Sequence, residues 1–229
     1  MSLVYGVDGC RGGWIAVAAE GRAKNVRFVQ RFEELFDAKP ALIAVDMPMG
    51  FPDEALPGGR DCERAARAAL PGKGASVFSA PCRSALDAPD YPAALVANRK
   101  AHGIGLSKQS FNLFPKMRAL DAVLRASPPC RIVEAHPELG FARLAGAPIL
   151  APKRTAEGRQ ARLEVLAKAG FGIVEKWLDR FPRKDVAQDD VIDAACVCVA
   201  ALRVAAGEGE SFPLVPSKDR YGIEMAVWR

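Results

Sequence analysis

The sequence predicts an α/β protein with a mixed five-stranded sheet of order 3-2-1-4-5, flanked by helices, with a helical and loop insertion between strands 4 and 5. Three observations carry this. Short apolar runs joined by glycine turns open the chain, two later apolar runs each stand after helical sequence, and the last third is patterned at helical spacing.

Leu3 to Val7, Trp14 to Ala19 and Val26 to Val29 read as a three-stranded antiparallel meander, with turns at "GCRGG" and "EGRAKN". "RFEELFDA" reads as a short helix, and "ALIAVDMP" as a wholly apolar, buried strand. After the loop "MPMGFPDEALPGG" come a charged helix, "RDCERAARAAL", an irregular stretch, "PGKGASVFSAPCRS", and helical sequence from Pro92 to Arg125. Residues 52–129 therefore read as the insertion. "CRIVEAHPE" supplies the fifth strand, and beyond Pro152 the pattern is helical, ending in the nearly apolar "DDVIDAACVCVAALRVAA". With no internal repeat or low-complexity linker, all 229 residues read as a single domain.

Composition narrows the functional classes. The 32 Lys and Arg against 27 Asp and Glu leave a net charge of +5, which permits a polyanionic partner without requiring one. Six scattered cysteines without a CxxC pair suit reduced thiols in a cytoplasmic protein. The longest apolar run is interrupted by Asp193 and Arg203, short of the roughly 20 residues of a membrane helix. No membrane partner is expected, and a homodimer is compatible with the sequence.

Three of the predicted strands run into an acid: Asp8, Asp46 and Glu134. One such acid is ordinary turn chemistry, since Asp bonds its own backbone and Gly9, Gly12 and Gly13 supply the bends. The element order β-β-β-α-β-α-β-α is that of the ribonuclease H fold, in which right-handed crossovers set the fourth and fifth strands beside the first. All three acids would then lie at carboxyl ends of neighbouring parallel strands, where open α/β sheets hold ligands. In the last helix Asp193 shares a face with Cys196, Val197 and Ala200 and so points inward; Asp190 can share that face, although Asp189 and Asp190 are also natural helix caps. Carboxylates gathered at 4 Å repel by about 4 kcal/mol per pair in an intermediate dielectric, so a cation must sit among them. All-oxygen ligands suit Mg²⁺ or Mn²⁺, and His102 and His136 are too few for zinc. Two such ions suit metal-dependent phosphodiester hydrolysis.

"GVDGCRGGW", "IAVDMPMGFP", "RDCERAAR", "SVFSAP", "EAHPELGF" and "DDVIDAACVCVAA" together resemble the predicted RNase H-like nuclease family catalogued as domain of unknown function 429, over nearly the whole chain. The resemblance implies a ribonuclease H fold related to Holliday-junction resolvases. It also implies Asp8, Asp46, Glu134 and an acid of the last helix as metal ligands, with Asp190 and Asp193 both open. It implies no particular substrate.

Nucleic acid is the expected partner. Arg11, Arg60, Arg64, Arg67, Lys73, Arg83, Lys108 and Lys116 are candidate phosphate contacts, against the alternative of solvated surface charge. Ser76, Phe78 and Ser79 of "SVFSAP", and Phe111, Asn112 and Phe114 of "QSFNLFP", are candidates for stacking or phosphate bonding, with core packing the favoured reading of the aromatics. His136 is either a water- or phosphate-orienting group or a structural histidine. Lys153, Arg154, Arg159 and Arg162 form either a phosphate clamp or a wet face.

Two rivals remain. A phosphotransferase or nucleotide-binding protein of the sugar-kinase and actin-like superfamily shares the fold and the Asp-Gly hairpin, but needs two copies of it. A non-catalytic nucleic-acid-binding module would bind polyanions without metal dependence or cleavage.

Overall fold

The computed structural model describes residues 2–54 and 58–229; residues 55–57 of the proline-rich loop after strand 4 lie outside that description. Strands β1 (Val4–Cys10), β2 (Gly13–Glu20) and β3 (Ala23–Val29) form the antiparallel meander. A 3₁₀ turn over Phe32–Ala38 leads into β4 (Leu42–Asp46), which lies parallel to β1 with Asp8 opposite Asp46. β5 (Arg131–Ala135) lies parallel to β4 with Val45 opposite Glu134.

The sheet does not stop at five strands. β6 (Ser211–Lys218) and β7 (Glu224–Trp228) form a C-terminal hairpin, and β7 pairs in parallel with β5, giving seven strands in the order 3-2-1-4-5-7-6. The expected helical end of the chain is thus corrected. β6 carries Pro213 and Pro216 and leaves Leu214 and Val215 exposed, as befits an edge strand, so it has no alternating apolar face to read.

Between β4 and β5 run α1 (Asp61–Ala68), α2 (Arg83–Leu86), α3 (Tyr91–His102), α4 (Lys108–Asn112) and α5 (Phe114–Arg125). After β5 come α6 (Pro137–Ala145), α7 (Ala156–Leu166) and α8 (Gln188–Ala205). Among the described residues no helix is long and apolar enough to cross a membrane.

Alternation sorts β1, β4 and β5 onto two cores, one on each face of the sheet. Val4, Leu42, Ala44, Val133 and Ala135 face α8 and its neighbours. Tyr5, Val7, Ile43, Val45 and Ile132 face Phe114, Met117 and Leu120 of α5. α8 lies directly on β1 because Gly6 has no side chain; a Cβ there would meet the backbone of Ala194 and Cys198. That contact fixes the height of α8 over the strand ends. Gly6→Ala is expected to cost about 3 kcal/mol in a urea melt, the upper range for overpacking, because backbone must move.

Buried ion pairs tie the insertion to the sheet. Arg83 donates to Asp121 Oδ2 of α5 and to Asp219 Oδ2 of the C-terminal hairpin, both at 2.6 Å. Its guanidinium also lies 5.0 Å from the Phe51 ring and 4.9 Å from the Tyr221 ring. Arg83 is therefore an internal tie rather than the phosphate contact expected of it.

Candidate functional site

Asp8 and Asp46 end adjacent parallel strands and share parity with Val4, Gly6, Leu42 and Ala44, so their side chains emerge beneath α8. From above, α8 presents Asp193, one turn before Cys196 and Val197 in the same core. Asp8, Asp46 and Asp193 each bring an oxygen to within 4.8 Å of the others, a separation at which the group could hold a metal ion. Asp8 is 9% exposed and Asp193 3%.

The electrostatics follow from that crowding. Burial, then Asp46, Asp193 and Asp190, lift Asp8 well above the usual carboxylate range. Burial and Asp193 push Asp46 up to about 8. Asp193 rises to about 6 through burial, held back by Lys153. Lys153, on the loop before α7, donates from Nζ to Asp193 Oδ2 at 2.6 Å and lies 3.5 Å from Asp189 Oδ2. The site therefore carries one internal cation, which Asp193 keeps charged above the ordinary lysine range.

Glu134 does not join the cluster. It stands opposite Val45 and shares parity with Ile132, so its side chain leaves the sheet on the other face. There its carboxylate accepts two bonds from Arg60, at 2.8 and 2.9 Å, and one from the Met49 N–H at 2.8 Å. Burial still lifts its pKa, with Arg60 opposing. The expected four-acid set is thus three acids on one face and an ion pair on the other.

That ion pair also corrects Arg60. At 2% exposure it contacts no solvent-borne phosphate; besides Glu134 it holds Glu63 Oε1 at 2.7 Å and the Met49 carbonyl at 2.6 Å. Arg64 bonds the Gly59 carbonyl and Asp61, and Arg67 fastens the 77–79 loop through the Val77 carbonyl and Ser79 Oγ. Ser79 is accordingly held as a loop anchor. Arg11 lies exposed on the β1–β2 turn. Lys116 bonds the Gly13 carbonyl at 2.8 Å and packs beside Gly9, close enough to Asp8 to feel its charge. Phe114 is a core residue, whereas Lys108 lies 5.4 Å from the Tyr91 ring centroid.

Asp190 stays outside the three-oxygen group. Its Oδ2 accepts the Ala187 N–H at 2.8 Å and so closes the first turn of α8. Asp193 is thus the helix acid that completes the cluster.

A cleft of about 590 Å³ opens over the acids, lined by Asp46, Asp193, Lys73, Ser76, Phe78, Ser110, His136, Glu138, Lys153 and Arg154 among others. Part of the insertion, the 73–78 loop and α4, forms one wall of it. His136 sits at the mouth of α6 with Nε2 3.2 Å from the Ser76 carbonyl, and burial pushes its pKa down. Two residues carry more weight here than the sequence suggested. Glu138 enters the first turn of α6 behind Pro137 and accepts Arg162 at 2.6 Å, which makes Arg162 a buried partner and neither a phosphate clamp nor a wet surface. Lys153 is an occupant of the acid site, a role that follows only from where the loop before α7 folds.

Fold and site together define an α/β protein with a buried three-aspartate centre at the carboxyl ends of two parallel strands, closed from above by the last helix. Residues 6–218 match the model of the family described as "Protein of unknown function (DUF429)", and the chain belongs to that family. Neither a curated protein nor a solved structure matches it.

Proposed function

We propose that this protein is a metal-dependent phosphodiesterase of the nuclease type, with an RNase H-like arrangement of β1 to β5 and α8. The observation that carries this reading is the convergence of Asp8, Asp46 and Asp193 within 4.8 Å under a cleft with a basic rim. The donor set fits Mg²⁺ or Mn²⁺, because three carboxylates are hard, anionic ligands with neither sulfur nor imidazole among them. Lys153 answers the same need: a buried triad of this kind requires a positive charge, and an ammonium already sits on Asp193. With Glu134 engaged by Arg60, the triad and Lys153 make one divalent ion beside one ammonium a better fit than the two ions expected from the sequence.

A bound divalent ion would supply Lewis acidity for an attacking water and for charge on the phosphate. The chain supplies the rest. Asp8 and Asp46 stand opposite each other on paired parallel strands, so the backbone sets the two carboxylates side by side before any ion arrives. Lys153 and Arg154 offer positive charge to a phosphate at the cleft mouth. The six free thiols suit a reducing compartment such as the cytoplasm.

The test is cleavage of labelled single-stranded, duplex and branched oligonucleotides in Mn²⁺, Mg²⁺ or EDTA. Asp8→Asn is expected to lose about 1,000-fold in rate, since several kcal/mol of charge stabilisation leave with the ion. Cleavage that persists in EDTA or in Asp8→Asn overturns the reading.

A further inference from the structure

Three residues that line the cleft over the triad each carry a buried polar atom with no hydrogen-bond partner among the described residues: Ser110 Oγ, His136 Nδ1 and Glu138 Oε2. Buried polar atoms are ordinarily paired, and these three come from α4, from the residue that caps α6 and from the first turn of α6. Ser110 is 5% exposed and Glu138 9%, so surface water does not account for those two.

Their chemistry can be read atom by atom. The Ser76 carbonyl can only accept, so His136 Nε2 carries the proton, and Nδ1 of the neutral ring presents a lone pair. Glu138 Oε2 also accepts, its other oxygen being held by Arg162. The Ser110 hydroxyl either donates or accepts. A ligand that satisfies this set brings N–H donors and an acceptor on one rigid body, as a nucleobase edge does. Phe78 of the same wall leaves 39% of its surface exposed, offering a ring on which a base can stack. Lys73, Lys153 and Arg154 ring the cavity with charge suited to a phosphate. The volume of about 590 Å³ falls in the range of sites for single small ligands.

We infer that the cleft takes one nucleotide unit with its base unpaired, the phosphate toward Lys153 and the triad and the base against Phe78, Ser110, His136 and Glu138. The substrate is then a single-stranded end, an extruded nucleotide or a nucleotide-sized diester. The inference rests on the phosphodiesterase reading for what happens at the phosphate, while binding of the nucleotide does not require it.

The experiment measures melting temperature in EDTA with 5 mM adenosine 5′-monophosphate or 5 mM inorganic phosphate, for wild type, Phe78→Ala and Ser110→Ala. Cleavage of thymidine 5′-p-nitrophenyl phosphate and of a blunt duplex in Mn²⁺ is measured in parallel. The monophosphate is expected to raise the wild-type Tm by about 5 °C, inorganic phosphate by far less, and both variants to lose most of the gain. Single-strand or nucleotide-ester cleavage should exceed duplex cleavage at least tenfold. No shift with the monophosphate, a shift equal to that of inorganic phosphate, or a shift unchanged in both variants overturns the inference, whether or not the duplex is cut. A variant-sensitive shift without cleavage of any diester supports the nucleotide pocket and removes the phosphodiesterase reading instead.

Discussion

In EDTA the wild-type protein is expected to lose thermal stability steadily from pH 5 to pH 9, and Asp46→Asn to lose far less and melt higher at pH 9. Asp46 is pushed up to about 8 by burial and Asp193, and Asp193 itself up to about 6. A carboxyl whose folded pKa exceeds its unfolded value near 4 binds more protons folded than unfolded between those pH values. Its contribution is therefore complete below pH 4 and is lost as pH rises through 8. At about 1.36 kcal/mol per unit the loss amounts to several kcal/mol, on the order of 10 °C for a domain of this size. Asn keeps the shape of the side chain and removes the titration, so its curve flattens. Millimolar Mn²⁺ should reverse the picture, because only the ionised triad binds it. Wild type gains about 2.7 kcal/mol at a hundredfold excess over Kd, the gain grows with pH, and Asp46→Asn gains almost nothing. Differential scanning calorimetry across pH, with EDTA and with Mn²⁺, reads all four curves. A wild-type Tm that rises from pH 5 to pH 9 in EDTA, or a variant that keeps the Mn²⁺ gain, excludes a metal-binding triad.

The sequence carried the first five strands and the inward face of the last helix because their apolar residues recur at plain spacings. Asp8 and Asp46 were legible from the position of each acid at the end of such a run, and Asp193 from the helical face that it shares with Cys196, Val197 and Ala200. Glu134 resisted the same logic for a reason of parity. In "RIVEA" the strand is apolar on both faces, so its end does not reveal the side from which a carboxylate leaves. Only the register, with Val45 opposite Glu134, assigns it to the face of Ile132. Arg60 looked like a surface arginine on a charged helix because helical spacing cannot show that α1 docks its first turn on the ends of β4 and β5. Lys153 and Glu138 become site residues through contacts 40 and 24 positions distant in sequence, beyond the reach of local patterns. The C-terminal hairpin was lost to its prolines and its exposed edge.

Arg60→Met is expected to be the most destabilising single change in the protein, about 3–5 kcal/mol, because it strands two buried carboxylates rather than because it removes a strong contact. Glu63 and Glu134 flank the guanidinium at 2.7 and 2.8 Å, and Glu63 Oε1 also accepts the Ala80 N–H at 2.7 Å, so neither acid can turn to water. Adding Glu134→Gln and Glu63→Gln to Arg60→Met should recover most of the loss, since neutral amides in these positions no longer need a cation. The same variants separate the two roles open to Glu134. If it belonged to the metal site, Mn²⁺ would stabilise Arg60→Met more than wild type, by supplying the missing positive charge, and Glu134→Gln would lose the Mn²⁺ gain as Asp8→Asn does. With its side chain on the opposite face of the sheet from the triad, the outcome should be the reverse. Glu134→Gln keeps the wild-type Mn²⁺ gain within about 0.5 kcal/mol, while Arg60→Met is depressed equally with and without the ion. Urea melts of wild type, Arg60→Met, Glu134→Gln and the triple variant, each in EDTA and in Mn²⁺, measure both effects. An Arg60→Met protein rescued by Mn²⁺ would return Glu134 to the metal site.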